Sequence, residues 1–285
     1  MNWAETEAPH HAIKRAFKNP AFQKSFYDLK NLDTREVLGA FDRWADVRRL
    51  PRRTRRNLRD AIDVRRAAEF RDAVAKCAAW IARQRPAPYA MILEVAQSGA
   101  AKSSLWLAGP AVRALMEAGI PPPAAVVPFV DGAALSVVSV RRALQQGVRT
   151  FVHVDDALYS GTQKGIMVRQ LSETLDFDKV SARLLLAVAY VTDLGARHVR
   201  QQRGPRLRLK MYAPHVLRVR RLPWVSRVEL MLRGDRDVRR NIAKGGPTSS
   251  LLAHKVPDSL SFGPATLSYH LQAVLPKPVY KTIPL

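Results

Sequence analysis

The 285-residue chain contains a single cysteine, Cys77, and no uncharged apolar run long enough to cross a bilayer. One cysteine excludes an intramolecular disulfide and a zinc site built from cysteine pairs. Residues 1–11 carry acids and lack the apolar stretch of a secretory signal. A transmembrane helix needs about 20 predominantly apolar residues in succession, and the sequence has no such stretch. These absences predict an intracellular, cytoplasmic protein without a membrane span.

Acidic residues are also scarce: 24 Asp and Glu stand against 47 Lys and Arg, which gives a net charge of +23. Residues 1–86 carry 20 basic and 11 acidic residues, residues 87–182 carry 8 of each, and residues 183–285 carry 19 and 5. Basic arms of this kind attract polyanions, so nucleic acid is a predicted partner. The run Arg48–Arg56 has three open interpretations, namely phosphate contact, a localisation signal and a solvated helix face.

The spacing of apolar residues divides the chain into two parts. In residues 1–86 the spacing is helical, which predicts a basic α-helical N-terminal segment ending at the linker Arg85–Pro88. In residues 87–285 short apolar runs alternate with helical stretches, and strands are predicted at 89–95, 125–130, 150–154 and 180–191. This alternation is typical of an α/β domain with a mostly parallel sheet flanked by helices. The C-terminal tail of this domain, which would act as a hood, has no predicted topology.

The third predicted strand leads into a motif that carries chemistry, FVHVDDALYSGT at residues 151–162. Two carboxylates, Asp155 and Asp156, follow the strand, and a short loop leads to Ser160–Thr162 at the start of a helix. Ligands of open parallel sheets bind beyond the carboxyl ends of the strands. Adjacent carboxylates suit neighbouring ribose hydroxyls and can hold Mg²⁺, directly or through water. Because a helix N-terminus with a glycine turn suits a phosphate monoester, the motif predicts a phosphorylated ribose as ligand.

These residues resemble the signature of the phosphoribosyltransferase family, which is an apolar strand, two acidic residues, a short loop and then Thr-Gly-x-Thr. The resemblance is specific over residues 151–163 and implies the fold of that family for roughly residues 87–212. By this resemblance, Asp155 and Asp156 are catalytic residues that bind the ribose hydroxyls of phosphoribosyl pyrophosphate (PRPP). The residues that would surround its 5-phosphate are Ala157, Leu158, Tyr159, Ser160, Gly161, Thr162 and Gln163.

The motif departs from the family pattern at three positions. Ser160 replaces the first Thr conservatively, whereas Gln163 stands where the second Thr is usual. One hydroxyl contact to the phosphate is therefore missing from the pattern. Tyr159 is bulky for such a loop, and its size would affect which phosphorylated ribose fits.

A second loop supports the resemblance. Phosphoribosyltransferases bind pyrophosphate at a loop after an early strand, through backbone amides and often a basic residue. Here Gln97–Ser104 follows the first strand of the domain, and the resemblance implies that Lys102 is a catalytic residue that neutralises pyrophosphate. Ser98, Gly99 and Ser103 would supply further donors. Two alternatives are open: a divergent P-loop, which lacks its second Gly because Ala101 stands there, and a simple helix cap at Ser103.

Two functions follow from these motifs. The first is a phosphoribosyltransferase-like enzyme that binds PRPP or a nucleoside monophosphate and transfers phosphoribosyl to or from a nitrogenous base, with Mg²⁺ as cofactor. The alternative is a non-catalytic regulator that senses PRPP or a nucleotide and binds nucleic acid through its basic arms. A P-loop hydrolase using Asp155 is a distant third.

Other residues give weaker signals. His153 lies in a strand and is more typical of a packed core histidine than of a ligand. His254, Lys255 and Asp258 lie in a tail that could cover the site, although a surface turn around Pro257 is the simpler interpretation. Trp224 and Tyr269 could stack on a base, but single aromatic residues usually pack in cores.

Overall fold

The computed structural model describes residues 8–31, 33–60, 62–96, 102–130, 134–217, 223–233 and 249–251. The described helices are α1 (Ala8–Lys18), α2 (Pro20–Tyr27), α3 (Thr34–Val47), α4 (Arg52–Arg59), α5 (Ala67–Arg83), α6 (Ser103–Glu117), α7 (Val137–Gln145), α8 (Thr162–Phe177), α9 (Asp193–Gln201) and α10 (Trp224–Arg233). The described strands are β1 (Ile62–Val64), β2 (Tyr89–Val95), β3 (Ala125–Val130), β4 (Ala134–Leu135), β5 (Thr150–Leu158), β6 (Ala182–Thr192), β7 (Leu207–Tyr212), β8 (His215–Leu217) and β9 (Ser249–Leu251).

The main sheet has seven strands and is mixed but mostly parallel. Its strand order is β4-β3-β2-β5-β6-β7, and β8 also pairs with β6. The pairs β2–β3, β2–β5, β5–β6 and β6–β7 are parallel, whereas the short β4 runs antiparallel to β3. The prediction of an α/β fold with a mostly parallel sheet flanked by helices is therefore confirmed.

Apolar side chains explain why these segments form the sheet. All seven residues of β2 are buried, and β6 has an unbroken apolar core from Leu184 to Val191. Strands that are covered by helices on both faces need this kind of continuous apolar sequence. On one face, side chains of α7 and α8 such as Val140, Met167 and Leu171 pack against the strands in one hydrophobic cluster.

Strand and helix bounds differ from the predictions mainly around β5 and β4. The third strand was predicted to end at Val154, but β5 continues to Leu158 because it stays paired with β6 through Leu158 and Val191. The apolar stretch after residue 133 forms the two-residue strand β4 before helix α7 begins at Val137. Ser136 caps this helix by accepting a hydrogen bond from the Ser139 amide at 3.2 Å.

The chain divides into two compact units. The first contains Arg71–Val216 together with α1 and α2, and so holds the main sheet. The second contains Leu29–Phe70 and α10, with a core formed by residues such as Phe41, Trp44 and Leu230. The predicted domain boundary after residue 86 does not coincide with the bounds of these two units, and it stays a prediction.

The second unit contains the arginine-rich run. Arg55 lies 2.6 Å from Asp46, and Arg59 at the end of α4 lies 3.5 Å from Asp42. These two arginines thus face carboxylates of α3, as in a solvated and partly paired helix surface. None of the helices in the described part of the chain is long and apolar enough to span a membrane.

Candidate functional site

The candidate site lies between β2 and β5, where the strand order of the sheet reverses. From β2 the chain passes through α6 to β3 on one side, whereas from β5 it passes through α8 to β6 on the other side. Crossover connections are right-handed, so these two helices leave towards opposite faces of the sheet. The carboxyl ends of β2 and β5 thus form a topological switch point, where open α/β sheets bind ligands.

The two central strands separate at this point. β2 and β5 are paired only over their first three residues, from Tyr89–Thr150 to Met91–Val152. Beyond Met91, β2 stays paired with β3 as far as Val95, and β5 stays paired with β6. The gap between the strand ends is bridged by His153, whose Nδ1 lies 2.9 Å from the Ile92 carbonyl oxygen. Beyond Met91, side-chain contacts rather than backbone hydrogen bonds therefore connect β2 to β5.

Asp155 connects both helices across the gap. Its Oδ1 accepts a hydrogen bond from Ser103 Oγ of α6 at 2.6 Å. Its Oδ2 lies 2.7 Å from Lys164 Nζ of α8. The residue is only 3% exposed, so these interactions occur away from solvent. The strand that carries Asp155 and the first turn of α6 are thus in direct contact.

Lys164 is shared between two buried carboxylates. Its Nζ lies 2.5 Å from Glu94 Oε2 at the end of β2, in addition to its contact with Asp155. Burial lowers the pKa of this lysine, but the charges of Asp155 and Glu94 outweigh burial and raise the pKa above its ordinary value. Lys164 is therefore charged at neutral pH.

The sequence predictions missed Lys164 and Glu94. Each has a signal in the sequence, because Glu94 interrupts an otherwise apolar strand and Lys164 lies in the first turn of the helix after the motif. A charged residue at a position that must be buried needs a partner of opposite charge. Neither residue identifies its partner without knowledge of which strands are neighbours.

His153 is a packed residue, as expected. It is fully buried, and its Nε2 lies 3.9 Å from Asp155 Oδ2, which is too long for a hydrogen bond. Because the Ile92 carbonyl can only accept, Nδ1 carries the proton of that contact. Its position adds a polar ring beside the Asp155 carboxylate.

Asp156 is the other carboxylate of the motif and is 1% exposed. Its Oδ1 accepts a hydrogen bond from the Ala157 amide at 2.6 Å. Successive side chains of a strand point to opposite faces, so Asp156 points away from Asp155. The two carboxylates therefore do not form a symmetric pair.

Of the predicted phosphate loop, Ala157 and Leu158 lie in β5, and only residues 159–161 form a tight turn between β5 and α8. Gly161 is the N-cap residue of α8, with φ of +75°, a conformation that favours glycine. Ser160 Oγ accepts from the Thr162 amide at 3.3 Å and from the Thr162 hydroxyl at 3.2 Å. Thr162 and Gln163 are exposed at the start of the helix. The turn therefore presents hydroxyls and helix-end amides, which suit an anion.

Helix α9 supports this turn from behind. A Cβ on Gly161 would lie 2.6 Å from the Gly195 carbonyl oxygen, and a Cβ on Gly195 would lie 2.7 Å from the carbonyl oxygens of Leu158 and Tyr159. Thr192, the N-cap residue of α9, donates its hydroxyl hydrogen to the Tyr159 carbonyl. The Tyr159 side chain is itself buried, at 9% exposure. Backbone contacts through glycine thus fix the shape of the turn.

The upstream loop is described only from Lys102 onwards. Lys102 is half-buried and is the N-cap residue of α6, with no side-chain capping hydrogen bond. The cap expected at Ser103 is not formed, because Ser103 is already helical and donates to Asp155 instead. Ser104 Oγ accepts a hydrogen bond from the Glu94 amide at 2.8 Å, which ties α6 to β2. The predicted contacts of Ser98 and Gly99 lie outside the described residues.

The carboxylates differ in how well they suit Mg²⁺. Within the described residues, no group of three or more His, Cys, Asp and Glu side chains could hold a metal. The ammonium of Lys164 at 2.7 Å from Asp155 Oδ2 disfavours a divalent cation on that oxygen. Asp156 suits Mg²⁺ better than Asp155, because its carboxylate would bind the ion together with oxygen atoms of a phosphate ligand. The tail residues His254, Lys255, Asp258 and Tyr269 lie outside the described residues.

No family model, curated protein or solved structure matches this chain.

Proposed function

We propose that the unit holding the main sheet is a phosphoribosyltransferase-like enzyme that binds PRPP or a nucleoside monophosphate. The observation that carries this proposal is the 2.6 Å contact between Ser103 Oγ and Asp155 Oδ1. This contact joins the segment that the resemblance relates to ribose phosphate with the segment that it relates to pyrophosphate. Both segments lie at the switch point of the sheet, which is the general ligand position of this architecture.

Each part of the proposed ligand has a matching group in this region. The 5-phosphate is proposed to bind at the turn 159–161 and the start of α8, where the Ser160 hydroxyl and the free amides of the first helical turn supply donors. Asp156 is proposed to accept from a ribose hydroxyl. Lys102, at the start of α6, is proposed to neutralise the pyrophosphate. Mg²⁺ would enter with the phosphates of the ligand, where it would screen their negative charge.

The proposed reaction depends on positioning. A nitrogen of the base attacks C1 of the ribose while the bond from C1 to the pyrophosphate oxygen breaks, and the electron pair leaves with pyrophosphate. Positive charge develops on the ribose ring, and the buried cluster of Glu94, Lys164 and Asp155 favours such charge because it combines two carboxylates with one ammonium. Because Lys164 and Ser103 hold Asp155 in place, the carboxylate needs no reorganisation during the reaction.

Calorimetry with PRPP and Mg²⁺ tests the binding step. We expect Asp155→Asn/Asp156→Asn and the single variant Asp156→Asn to weaken binding at least about tenfold, with the single variant keeping the buried cluster intact. Asp42→Asn/Asp46→Asn removes the same charge from α3 in the other unit and should bind like the parent. Binding that ignores all of these changes would exclude this site.

A sensor without turnover is the second proposed function. The favouring observation is that Asp155 interacts with Lys164 and Ser103 within the protein, so it serves the structure of the site as well as any ligand. Release of pyrophosphate from PRPP in the presence of nitrogenous bases separates the two proposals. Binding with turnover supports the enzyme, whereas binding without turnover for any base supports the sensor.

A further inference from the structure

A groove lined by arginines lies at the opposite end of the sheet from the candidate site. It has a volume of about 750 Å³ and is formed where β5, β6 and β7 begin. Five arginines line it, namely Arg149, Arg183, Arg203, Arg206 and Arg208. Among the described residues that line it there is no Asp or Glu. The groove is therefore a concave surface of a single charge sign, which concentrates anions.

Two of these arginines are fixed by backbone carbonyls and a hydroxyl. Arg149 donates to the carbonyl oxygens of Leu144 at 2.8 Å and Val148 at 2.9 Å. Arg183 donates from Nε to Thr150 Oγ1 at 2.7 Å and from a terminal nitrogen to the Arg85 carbonyl oxygen at 2.8 Å. These acceptors are uncharged, so they orient the guanidinium groups without neutralising them.

Two arginines are also neighbours in the sheet. Arg183 of β6 and Arg208 of β7 are register partners, as are Thr150 and Arg183. Neighbouring strands lie about 4.8 Å apart, and side chains in register point to the same face. Like charges in such a cross-strand pair destabilise a sheet. An anion bound between them would remove this repulsion.

Carboxylates neutralise little of the positive charge of the groove. Arg206 Nε lies 4.0 Å from Asp176 Oδ1, at the limit of an ion pair, and both side chains are partly exposed. Arg203 and Arg208 are exposed at the mouth of the groove. The groove thus combines the exposed Arg203, Arg206 and Arg208 with the two guanidinium groups that are held in place.

The groove is separate from the proposed ribose-phosphate site. Thr150 lies at its edge, and Asp155 lies five residues further along the same strand. At 3.3 Å per residue this separation is about 17 Å. The groove and the site around Asp155 are therefore separate binding positions.

We propose that this groove binds the phosphodiester backbone of a nucleic acid. Guanidinium groups bind phosphate oxygens in pairs, and arginine is the residue best suited to that geometry. No aromatic residue is found among the described lining residues, so bases would not stack there and binding would not depend on sequence. A membrane surface fits less well, because the groove is recessed and its apolar lining residues Ala182 and Leu207 are buried.

Fluorescence anisotropy with the full chain tests this proposal, using labelled single-stranded and duplex oligonucleotides of about 20 nucleotides. Arg203→Ala/Arg208→Ala removes two exposed charges from the groove. Arg197→Ala/Arg200→Ala removes two exposed charges from α9, outside the groove, and is the matched control. We expect the groove variant to bind roughly tenfold or more weakly and to lower the slope of log affinity against log salt by roughly 1.5. The control should change both values much less.

Three results would overturn the proposal. One is equal weakening in both double variants, which would mean that only net charge matters. The second is unchanged binding in the groove variant. The third is loss of binding to phosphatidylserine vesicles with no loss for oligonucleotides, which would assign the groove to a membrane surface. PRPP calorimetry on the groove variant should match the parent, so this test is independent of the proposed enzymatic function.

Discussion

Lys164 Nζ lies 2.7 Å from Asp155 Oδ2, and neither side chain is more than 4% exposed. With Glu94 on its other side, the lysine connects the first turn of α8 to the ends of both central strands. This contact takes the place of the backbone pairing that β2 and β5 lose beyond Met91. The stability of the sheet and the geometry of the candidate site therefore depend on the same ion pair.

Replacing Lys164 should destabilise the fold strongly. Lys164→Met leaves two buried carboxylates without their cation, and breaking a buried pair in this way costs roughly 3–5 kcal/mol. Urea unfolding monitored by circular dichroism measures this loss. Lys76→Met is the matched control, because Lys76 forms an exposed pair with Asp72 at 2.7 Å and should change stability by less than about 1 kcal/mol. Equal effects in the two variants would contradict the assigned role of Lys164.

The contribution of Lys164 should depend on pH only in the alkaline range. Its folded-state pKa is raised above the ordinary value of 10.5 because Asp155 and Glu94 outweigh burial. A group with a raised folded-state pKa contributes fully below its unfolded pKa and loses that contribution as pH rises above it. The difference in unfolding free energy between the parent and Lys164→Met should therefore shrink as pH rises above about 10. A difference that does not shrink above this pH would contradict the argument.

The contact between the phosphate turn and α9 predicts a position-specific effect of alanine. Gly195→Ala would place a Cβ 2.7 Å from two backbone carbonyl oxygens, so the turn must shift. We expect a loss of roughly 1–3 kcal/mol in stability and weaker PRPP binding. Gly39→Ala, on a helix where the nearest contact is 3.6 Å, should instead be neutral or stabilise by up to about 1 kcal/mol. Thermal unfolding measures the change in stability of both variants, and calorimetry measures their affinity for PRPP.

A mutation can reverse the difference from the phosphoribosyltransferase signature at Gln163. Gln163→Thr restores the second hydroxyl of the phosphoribosyltransferase signature at an exposed position in the first turn of α8. If the turn binds the 5-phosphate, PRPP affinity should rise by about 2- to 10-fold, since a hydrogen bond to a charged group is worth roughly 1.5 kcal/mol or less net of solvation. Gln145→Thr, exposed at the end of α7, should leave affinity unchanged. Unchanged affinity in both variants would place the phosphate elsewhere.

Burial should make Cys77 unreactive in the folded protein. The side chain is fully buried, and burial raises the pKa of its thiol to about 12. The nucleophile is the thiolate, which is therefore almost absent at pH 8. A thiol reagent should label the native protein orders of magnitude more slowly than the urea-unfolded protein. Rapid labelling of the native protein would contradict this burial.

The sequence predicted the alternation of strands and helices because buried parallel strands require continuous apolar runs, as in β2 and β6. It placed Asp155 and Asp156 after the end of a strand, whereas both residues lie within β5. It did not predict that β5 would continue to Leu158, since that length depends on pairing with β6. Local spacing contains no information about which strands are neighbours.

The same reason explains the residues that were missed. Glu94 and Lys164 are 70 residues apart in the chain, and their contact exists only because β2 lies beside β5. Charge counting drew attention to the run Arg48–Arg56, where Arg55 faces the carboxylate of Asp46. The five arginines of the groove come from separate segments, and the order of the strands brings them together.

The buried cluster of Glu94, Lys164 and Asp155 has a consequence for the evolution of such a protein. A copy released from selection for chemistry would still need these three residues to fold. Thr162 is exposed at the start of α8 and lies outside this cluster, so it could drift first. In a lineage that lost the activity, we therefore expect descendants that keep Asp155 and Lys164 and vary at Thr162.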